Sequence, residues 1–116
     1  MHDSPRVDQD VVQEMFDVLG ESFLDVLQAF KNEVPGYVLN LEAYHRANNI
    51  PGLIYLTHNI KSSCGNIGFL RLYEYCKNVE DCLQKDASKN VDKLIEDCQK
   101  ELKLAMIEID NLMVHE

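Results

Sequence analysis

The stretch that decides the fold is His58-Asn59-Ile60-Lys61-Ser62-Ser63-Cys64-Gly65-Asn66-Ile67-Gly68, near the middle of the chain. On a helical wheel at about 100° per residue it separates into two faces. Lys61, Ser62 and Gly65 lie within about 60° of His58. The apolar side chains cluster roughly opposite and predict the core side of a helix: Leu53, Leu56, Ile60, Cys64 and Ile67. We therefore predict that His58 points outward, away from the core.

Apolar residues recur every three or four positions elsewhere in the chain, as they do along amphipathic helices. The pattern predicts a short first helix that Gly20 ends, a second helix that Ser22 caps, and a very regular last helix over Val91–Leu112. Pro35 should break or kink the second helix, because proline lacks the backbone N–H. The stripe resumes beyond it as far as a turn or cap at Asn48-Asn49.

The remaining segments complete an all-helical pattern. One helix is predicted from about Pro51 to Asn66, another carries a stripe from Phe69 to Leu83, and a polar turn is expected at residues 86–90. No segment is convincing as a strand. We therefore predict an all-α fold, an antiparallel four-helix bundle with an additional short N-terminal helix. Residues 1–8 are polar and aperiodic, which indicates a linker or disordered N-terminus, and residues 9–116 form the predicted domain.

Composition narrows the class of protein. Hydrophobic residues make up 46% of the 116 residues, which suits one compact domain, and the formal net charge is -9. Such a charge disfavours binding to nucleic acid or to an anionic membrane surface. No apolar run approaches the roughly 20 residues of a membrane helix, and the start lacks the apolar stretch of a signal peptide. We expect a cytoplasmic domain that does not insert into membranes.

The cysteines and the acidic residues give no sign of a metal site. No C-x-x-C pair occurs, and the cysteines fall mostly within helical apolar patterns, which favours buried thiols over metal ligands or disulfides. A metal site in a helical bundle would need paired Glu-x-x-His motifs projecting inward from facing helices, and no such pair occurs. The cysteines concerned are Cys64, Cys76, Cys82 and Cys98.

The residues beside His58 suggest chemistry on its imidazole. Lys61 lies one helical turn on, close enough for its ammonium to approach a group attached to the ring. Ser62 and Gly65 leave the neighbouring surface low, so that another protein's active site can come near. Tight packing against a neighbouring helix is the alternative explanation of these small residues, and their position opposite the apolar face disfavours it.

Two apolar residues lie on the same outward face. Ile54 is about 40° and Tyr55 about 60° from His58 on the wheel. An apolar rim around a polar centre is typical of a protein-binding site. The alternative for Ile54 is that it tucks beneath the preceding helix.

The run HNIKSSCGNIG resembles the signature of histidine-containing phosphotransfer (HPt) domains. In that signature a phosphorylated histidine is followed by lysine three positions on, then by small residues, and by glycine ten positions on. The likeness continues through FLRLYEYCKNVED and, less specifically, VPGYVLNLEAY, so it covers roughly residues 10–114. Ser62 departs from the family, which usually has glycine there. The residues that match are His58, Lys61, Ser63, Gly65 and Gly68.

The resemblance implies that His58 accepts a phosphoryl group from a receiver-domain aspartyl phosphate and passes it to another receiver aspartate in a two-component phosphorelay. Lys61 would stabilise the phosphoryl group. The residues expected at the receiver contact are Ile54, Tyr55, Ser62, Gly65 and Gly68.

The resemblance also implies no cofactor of the chain's own, since the magnesium ion belongs to the partner receiver. A complete histidine kinase would need a nucleotide-binding domain, which 116 residues with five glycines cannot supply beside the bundle, so we expect no kinase activity of the chain's own. Either a free-standing protein or a domain of a hybrid sensor histidine kinase fits the sequence. The alternative function is a non-catalytic interaction module, a bundle that binds a receiver-like partner without phosphotransfer.

Overall fold

The computed structural model describes residues 5–85 and 91–114, and these contain five helices and no strand. Helix α2 packs on α3, α3 on α4, α4 on α5 and α5 on α2, which closes a four-helix bundle, and α1 packs against α2. This confirms the predicted fold; the turn predicted at residues 86–90 lies outside the described residues. The helices are α1 (Gln9–Leu19), α2 (Ser22–Arg46), α3 (Ile50–Asn66), α4 (Leu70–Gln84) and α5 (Val91–Val114).

The apolar stripes of the helices meet in one core. The five positions predicted to face the core on and just after α3 are all between 0% and 7% exposed. The four cysteines form no disulfide with one another; Cys82 is half-buried and the other three are buried. Burial raises the pKa of the Cys64 thiol to about 12, as expected for an unreactive core residue. The interpretation of the cysteines as core thiols is therefore confirmed for three of the four.

Local signals set several helix ends. The Asp8 side chain accepts hydrogen bonds from backbone N–H groups in the first turn of α1, and Asn49 caps α3 in the same way. Pro51 occupies the first turn of α3, where its missing N–H has no partner to lose. Gly20 ends α1 with a positive φ of 57°, which glycine adopts readily because it has no Cβ atom.

Helix α2 departs from the sequence prediction at two places. The break that Pro35 could have caused does not occur, because the apolar stripe on both sides, including Val34 and Leu41, is buried and holds the chain helical. Ser22 is not the cap but the first helical residue. Glu21 before it already has helical φ and ψ of -63° and -21°, and no side chain caps this end.

The segment before α1 belongs to the fold. Arg6 Nε lies 2.5 Å from Glu101 Oε2 of α5, and the Val7 side chain is 6% exposed. The Asp8 N–H donates to the carbonyl of Gly68 at 2.7 Å. The expectation that residues 1–8 lie outside the fold is therefore wrong for residues 6–8, while residues 1–4 lie outside the described residues. Isolated contacts of this kind produce no periodic pattern in a sequence, so periodicity does not predict them.

The turn between α3 and α4 depends on a glycine. Gly68 is buried and has a φ of +84°. A Cβ atom there would lie 3.1 Å from the carbonyl oxygen of Asp8 and 3.2 Å from Val11 Cβ. The N-terminal segment can lie this close to the turn only because residue 68 has no side chain.

Gly68→Ala should lower the free energy of unfolding by about 1 to 3 kcal/mol, because alanine meets both a strained φ and a backbone contact. Gly36→Ala is the matched control. Gly36 lies inside α2, and a Cβ atom there would have no neighbour within 4 Å, so the substitution should stabilise the domain by about 0.5 to 1 kcal/mol. Urea unfolding measures both, and equal stability of the two variants would contradict the turn as described.

Candidate functional site

His58 lies on the outer face of α3. Its side chain is 58% exposed, whereas Leu56 and Ile60 on either side of it face the core. The helical period of about 3.6 residues separates the two faces in this way. The prediction that His58 points outward is confirmed.

Glu80 of α4 contacts both His58 and Lys61, the two residues that the sequence analysis puts side by side on α3. Glu80 Oε2 lies 3.2 Å from His58 Nδ1, and Glu80 Oε1 lies 2.6 Å from Lys61 Nζ. Glu80 is only 6% exposed, although it carries a carboxylate. Lys61 therefore meets His58 through a shared partner, and its Nζ also lies 6.0 Å from the centre of the Tyr73 ring.

Glu80 and Lys61 each stabilise the ionised form of the other. Burial would raise the pKa of the Glu80 carboxyl, but the hydrogen bond and charge of Lys61, with a smaller contribution from His58, lower it on balance. The same hydrogen bond to Glu80 raises the pKa of the Lys61 ammonium against the opposing effect of its burial. At neutral pH the carboxylate and the ammonium are both ionised.

The hydrogen bond that Glu80 accepts from His58 selects one form of the neutral imidazole. An ionised carboxylate can only accept hydrogen bonds, so Nδ1 of His58 must be the donor. In a neutral ring the proton on Nδ1 leaves Nε2 with a free lone pair. The arrangement therefore presents Nε2 of His58 as a nucleophile.

An apolar depression lies beside the imidazole. Tyr55 on its rim is 68% exposed, as predicted for an outward-facing residue. Ile54 is half-buried and packs against the core, so it is less exposed than its position on the wheel predicts. The depression is lined by Ile50, Pro51, Ile54, Tyr55, His58, Asn59 and Glu80.

The three small residues predicted at the partner contact have different surroundings. Ser62 is exposed. Gly65 is also exposed, but a Cβ atom there would lie 3.1 Å from Tyr73 Cδ2, so packing against α4 explains it as well. Gly68 is buried in the turn after α3, and its predicted place at the partner surface is wrong because it is needed for the left-handed turn instead.

The match to a known family follows this geometry. Residues 25–112, most of the chain, match the family model of the Hpt domain. The chain belongs to the Hpt domain family. This confirms the resemblance drawn from the His58 segment and gives the domain a phosphotransfer role in two-component signalling.

Two solved structures resemble this Hpt domain. Histidine-containing phosphotransfer protein B from Pseudomonas aeruginosa PAO1 has a TM-score of 0.89 and 21% identity, over 97% of this chain and 98% of that one. The histidine-containing phosphotransfer domain of ArcB from Escherichia coli has a TM-score of 0.78 and 21% identity, over 94% and 93% of the two chains. At this identity the likeness concerns the fold. A comparison with curated protein sequences found no match.

Glu80 is the site residue of this Hpt domain that sequence reasoning missed. It lies four positions after Cys76 and three before Leu83, two buried members of the apolar stripe of α4. A carboxylate at that position on an amphipathic helix must find a partner when it is buried. The signal was present, but only the packing of α4 on α3 identifies that partner.

Other parts of the described chain do not reproduce this cluster. His45 lies on α2, where its Nε2 is 2.6 Å from Asp92 Oδ1, while His2 and His115 lie outside the described residues. No group of three or more His, Cys, Asp or Glu side chains in residues 5–85 and 91–114 is arranged to hold a metal ion. No helix in those ranges is both long and apolar enough to cross a membrane.

Glu80→Gln should lower the free energy of unfolding at pH 7 by about 1 to 3 kcal/mol, because Lys61 loses its counter-charge. The pKa of Glu80 is lowered by folding, so the parent's advantage is complete above the unfolded-state pKa of about 4.3. It should be lost as the pH falls through the lower pKa of the folded state. Urea unfolding of both proteins between about pH 7 and pH 3 measures the difference.

Glu42→Gln is the control for this experiment. Glu42 forms an exposed ion pair with Arg46 of the same helix, an arrangement that contributes little to stability. Its removal should leave the pH profile of unfolding close to that of the parent. A profile for Glu80→Gln that also parallels the parent would show that the Glu80 cluster is not formed in solution.

Proposed function

We propose that this domain accepts a phosphoryl group on Nε2 of His58 from the aspartyl phosphate of a receiver domain. It then transfers the group to an aspartate of another receiver in a phosphorelay. The observation that carries the proposal is an exposed imidazole whose Nδ1 is held by a buried carboxylate. The two similar solved structures support it, since both bear the name of histidine-containing phosphotransfer.

The transfer is an in-line substitution at phosphorus. The Nε2 lone pair forms the N–P bond while the bond from phosphorus to the aspartyl oxygen breaks, and the carboxylate leaves with the electron pair. Positive charge develops on the ring as the bond forms. Glu80 accepts the Nδ1 hydrogen bond throughout and stabilises that charge, so no proton has to move. The second transfer is the same step in reverse, with another aspartate as nucleophile.

Lys61 balances charge between the two states of His58. Its ammonium lies 2.6 Å from Glu80 before transfer, and its four-carbon stem lets it turn toward a new anion on the neighbouring turn of the helix. The incoming phosphoryl group is an anion near an anionic carboxylate. A cation shared between them reduces their repulsion, which is the stabilising role proposed for Lys61.

The domain is proposed to be a carrier and not a kinase. The magnesium ion that shields the transferring phosphoryl group is assigned to the partner receiver, whose own aspartyl phosphate it would contact. A cytoplasmic location is part of this proposal, and so is a donor receiver that belongs to a hybrid sensor histidine kinase.

The proposed docking surface surrounds His58. Tyr55 offers an exposed ring on one side, and Ser62 lies on the same face of α3 on the other. The apolar depression next to Tyr55 can receive a side chain from the receiver, as apolar contacts do around the polar centre of transient interfaces. The serine hydroxyl can donate a hydrogen bond to the phosphoryl group as it approaches.

His58→Gln should abolish transfer of label from phosphorylated receivers, because glutamine has no nucleophilic ring nitrogen. Stability should change by no more than about 1 kcal/mol, since the side chain is largely exposed. The donors are receiver domains of the same organism, loaded with radiolabelled acetyl phosphate and mixed with each variant. His45→Gln is the matched control and should accept label as the parent does.

Two results would count against this assignment. Acid-labile label on His58→Gln would mean that another residue is the acceptor. If the parent binds receivers but accepts label from none of them, the domain is an interaction module without phosphotransfer.

Tyr55→Ala should weaken receiver binding about 5- to 30-fold, the loss expected when one exposed aromatic contact of about 1 to 2 kcal/mol is removed. Its melting temperature should stay near that of the parent. Val18→Ala is the control, since Val18 is 74% exposed on α1 and lies outside the proposed surface. Titration calorimetry with a receiver measures both, and equal affinities would remove Tyr55 from the interface.

A further inference from the structure

The surface formed by α2 and α5 exposes apolar side chains that the phosphotransfer site does not use. Leu39 on α2 is 66% exposed and Ile107 on α5 is 55% exposed. Between the two helices runs an apolar groove that includes Pro35 and Met106. The cluster around His58 lies on α3 and α4, so the order of helices around the bundle puts this groove on the opposite side.

Two charged residues of α5 lie on the same surface. Lys103 lines the groove, is exposed, and has no hydrogen bond or ion pair with any residue of the described ranges. Asp110 lies two turns further along, where its Oδ1 is 2.5 Å from Lys31 Nζ. The Asp110 side chain is still 53% exposed, so the carboxylate remains open to a second cation.

Four residues of α5 form a stripe along the helix, and their spacing makes this stripe complementary to itself. Lys103, Met106, Ile107 and Asp110 stand at i, i+3, i+4 and i+7, along one side of the helix. If two copies of α5 run antiparallel about the midpoint between Met106 and Ile107, Lys103 faces the partner's Asp110. Met106 then faces the partner's Ile107, and both contacts occur twice. A two-fold interface requires this kind of self-complementarity.

We propose that the α2/α5 surface binds a second copy of this chain in a two-fold, antiparallel contact of α5 with α5. The order of charge along the stripe selects a second copy as the occupant. Each chain carries a net charge of -9, but at about 0.15 M salt repulsion beyond about 8 Å is screened, whereas contacting opposite charges still attract. Both His58 sites face away from the contact, so each subunit remains open to a receiver.

The first test measures the oligomeric state by sedimentation equilibrium at near-physiological salt. The parent should dimerise weakly, as expected of a small interface. Lys103→Glu places two acidic residues opposite each other, and Asp110→Lys places two lysines opposite each other. Each variant alone should have a dimer dissociation constant raised at least about tenfold. An equal mixture of the two should restore dimers, because each glutamate then faces a lysine.

Substitutions of exposed apolar residues test the dimer independently of the charged residues. Ile107→Ser should weaken the dimer, while Val18→Ser, at an exposed valine on α1, should not. Thermal melts check that every variant is folded; the Lys31 contact that Asp110→Lys loses is partly exposed and contributes little. Transfer of label to His58 should be unchanged in all four variants, which separates this proposal from the proposed function.

Three outcomes would overturn the dimer. The parent could remain monomeric up to roughly 1 mM, the weak end of specific association. The single charge variants could dimerise as well as the parent, which would place the contact elsewhere. The mixture could fail to recover dimers, which would exclude the antiparallel register.

Discussion

A buried carboxylate is stable only where cations and hydrogen-bond donors compensate for its lost hydration. Glu80 is such a carboxylate, so the fold has to bring its partners to it. Its two oxygens reach different residues of α3, Nδ1 of His58 and Nζ of Lys61. The same contacts join α3 to α4 and orient the imidazole. Stability and chemistry therefore depend on one group, since the pairing that makes burial of the charge tolerable also leaves Nε2 free to react.

The turn after α3 determines whether Glu80 can reach its partners. Gly68 lets the chain reverse with a φ of +84°, and its carbonyl accepts a hydrogen bond from Asp8. The N-terminal segment covers this turn and is itself tied to α5 by Arg6 and Glu101. Contacts among three distant parts of the chain thus set how α4 lies against α3, and with it the geometry of the site.

The two sides of the bundle differ in how their charges are placed. On the α3/α4 side the Lys61–Glu80 pair is mostly buried, and its carboxylate also holds the His58 imidazole in place. On the α2/α5 side Lys103 and much of Asp110 remain in solvent, next to exposed apolar residues. Exposed charges contribute little to folding, so they are free to contribute to selectivity in association. The proposed receiver contact and the proposed dimer contact therefore lie on different sides of the bundle and do not compete.

The sequence by itself determined the helices and the outward position of His58, because a period of about 3.6 residues and a separation into two faces are local properties. It also identified the family, since the spacing of His58 and Lys61 with the small residues after them lies within one helix and its end. Local rules were less reliable where packing opposed them. The chain stays helical through Pro35 because the buried stripe around it outweighs one missing hydrogen bond.

Only the tertiary structure decided which residues complete the site. Glu80 is 22 positions from His58, and Gly68 became a turn residue only through its contacts with Asp8 and Val11. Ile54 was placed on the surface by its angle on the wheel but is half-buried, because a wheel records direction and not the neighbours that cover it. Periodicity specifies which way a side chain points from its own helix, whereas the partner it meets depends on how separate helices pack.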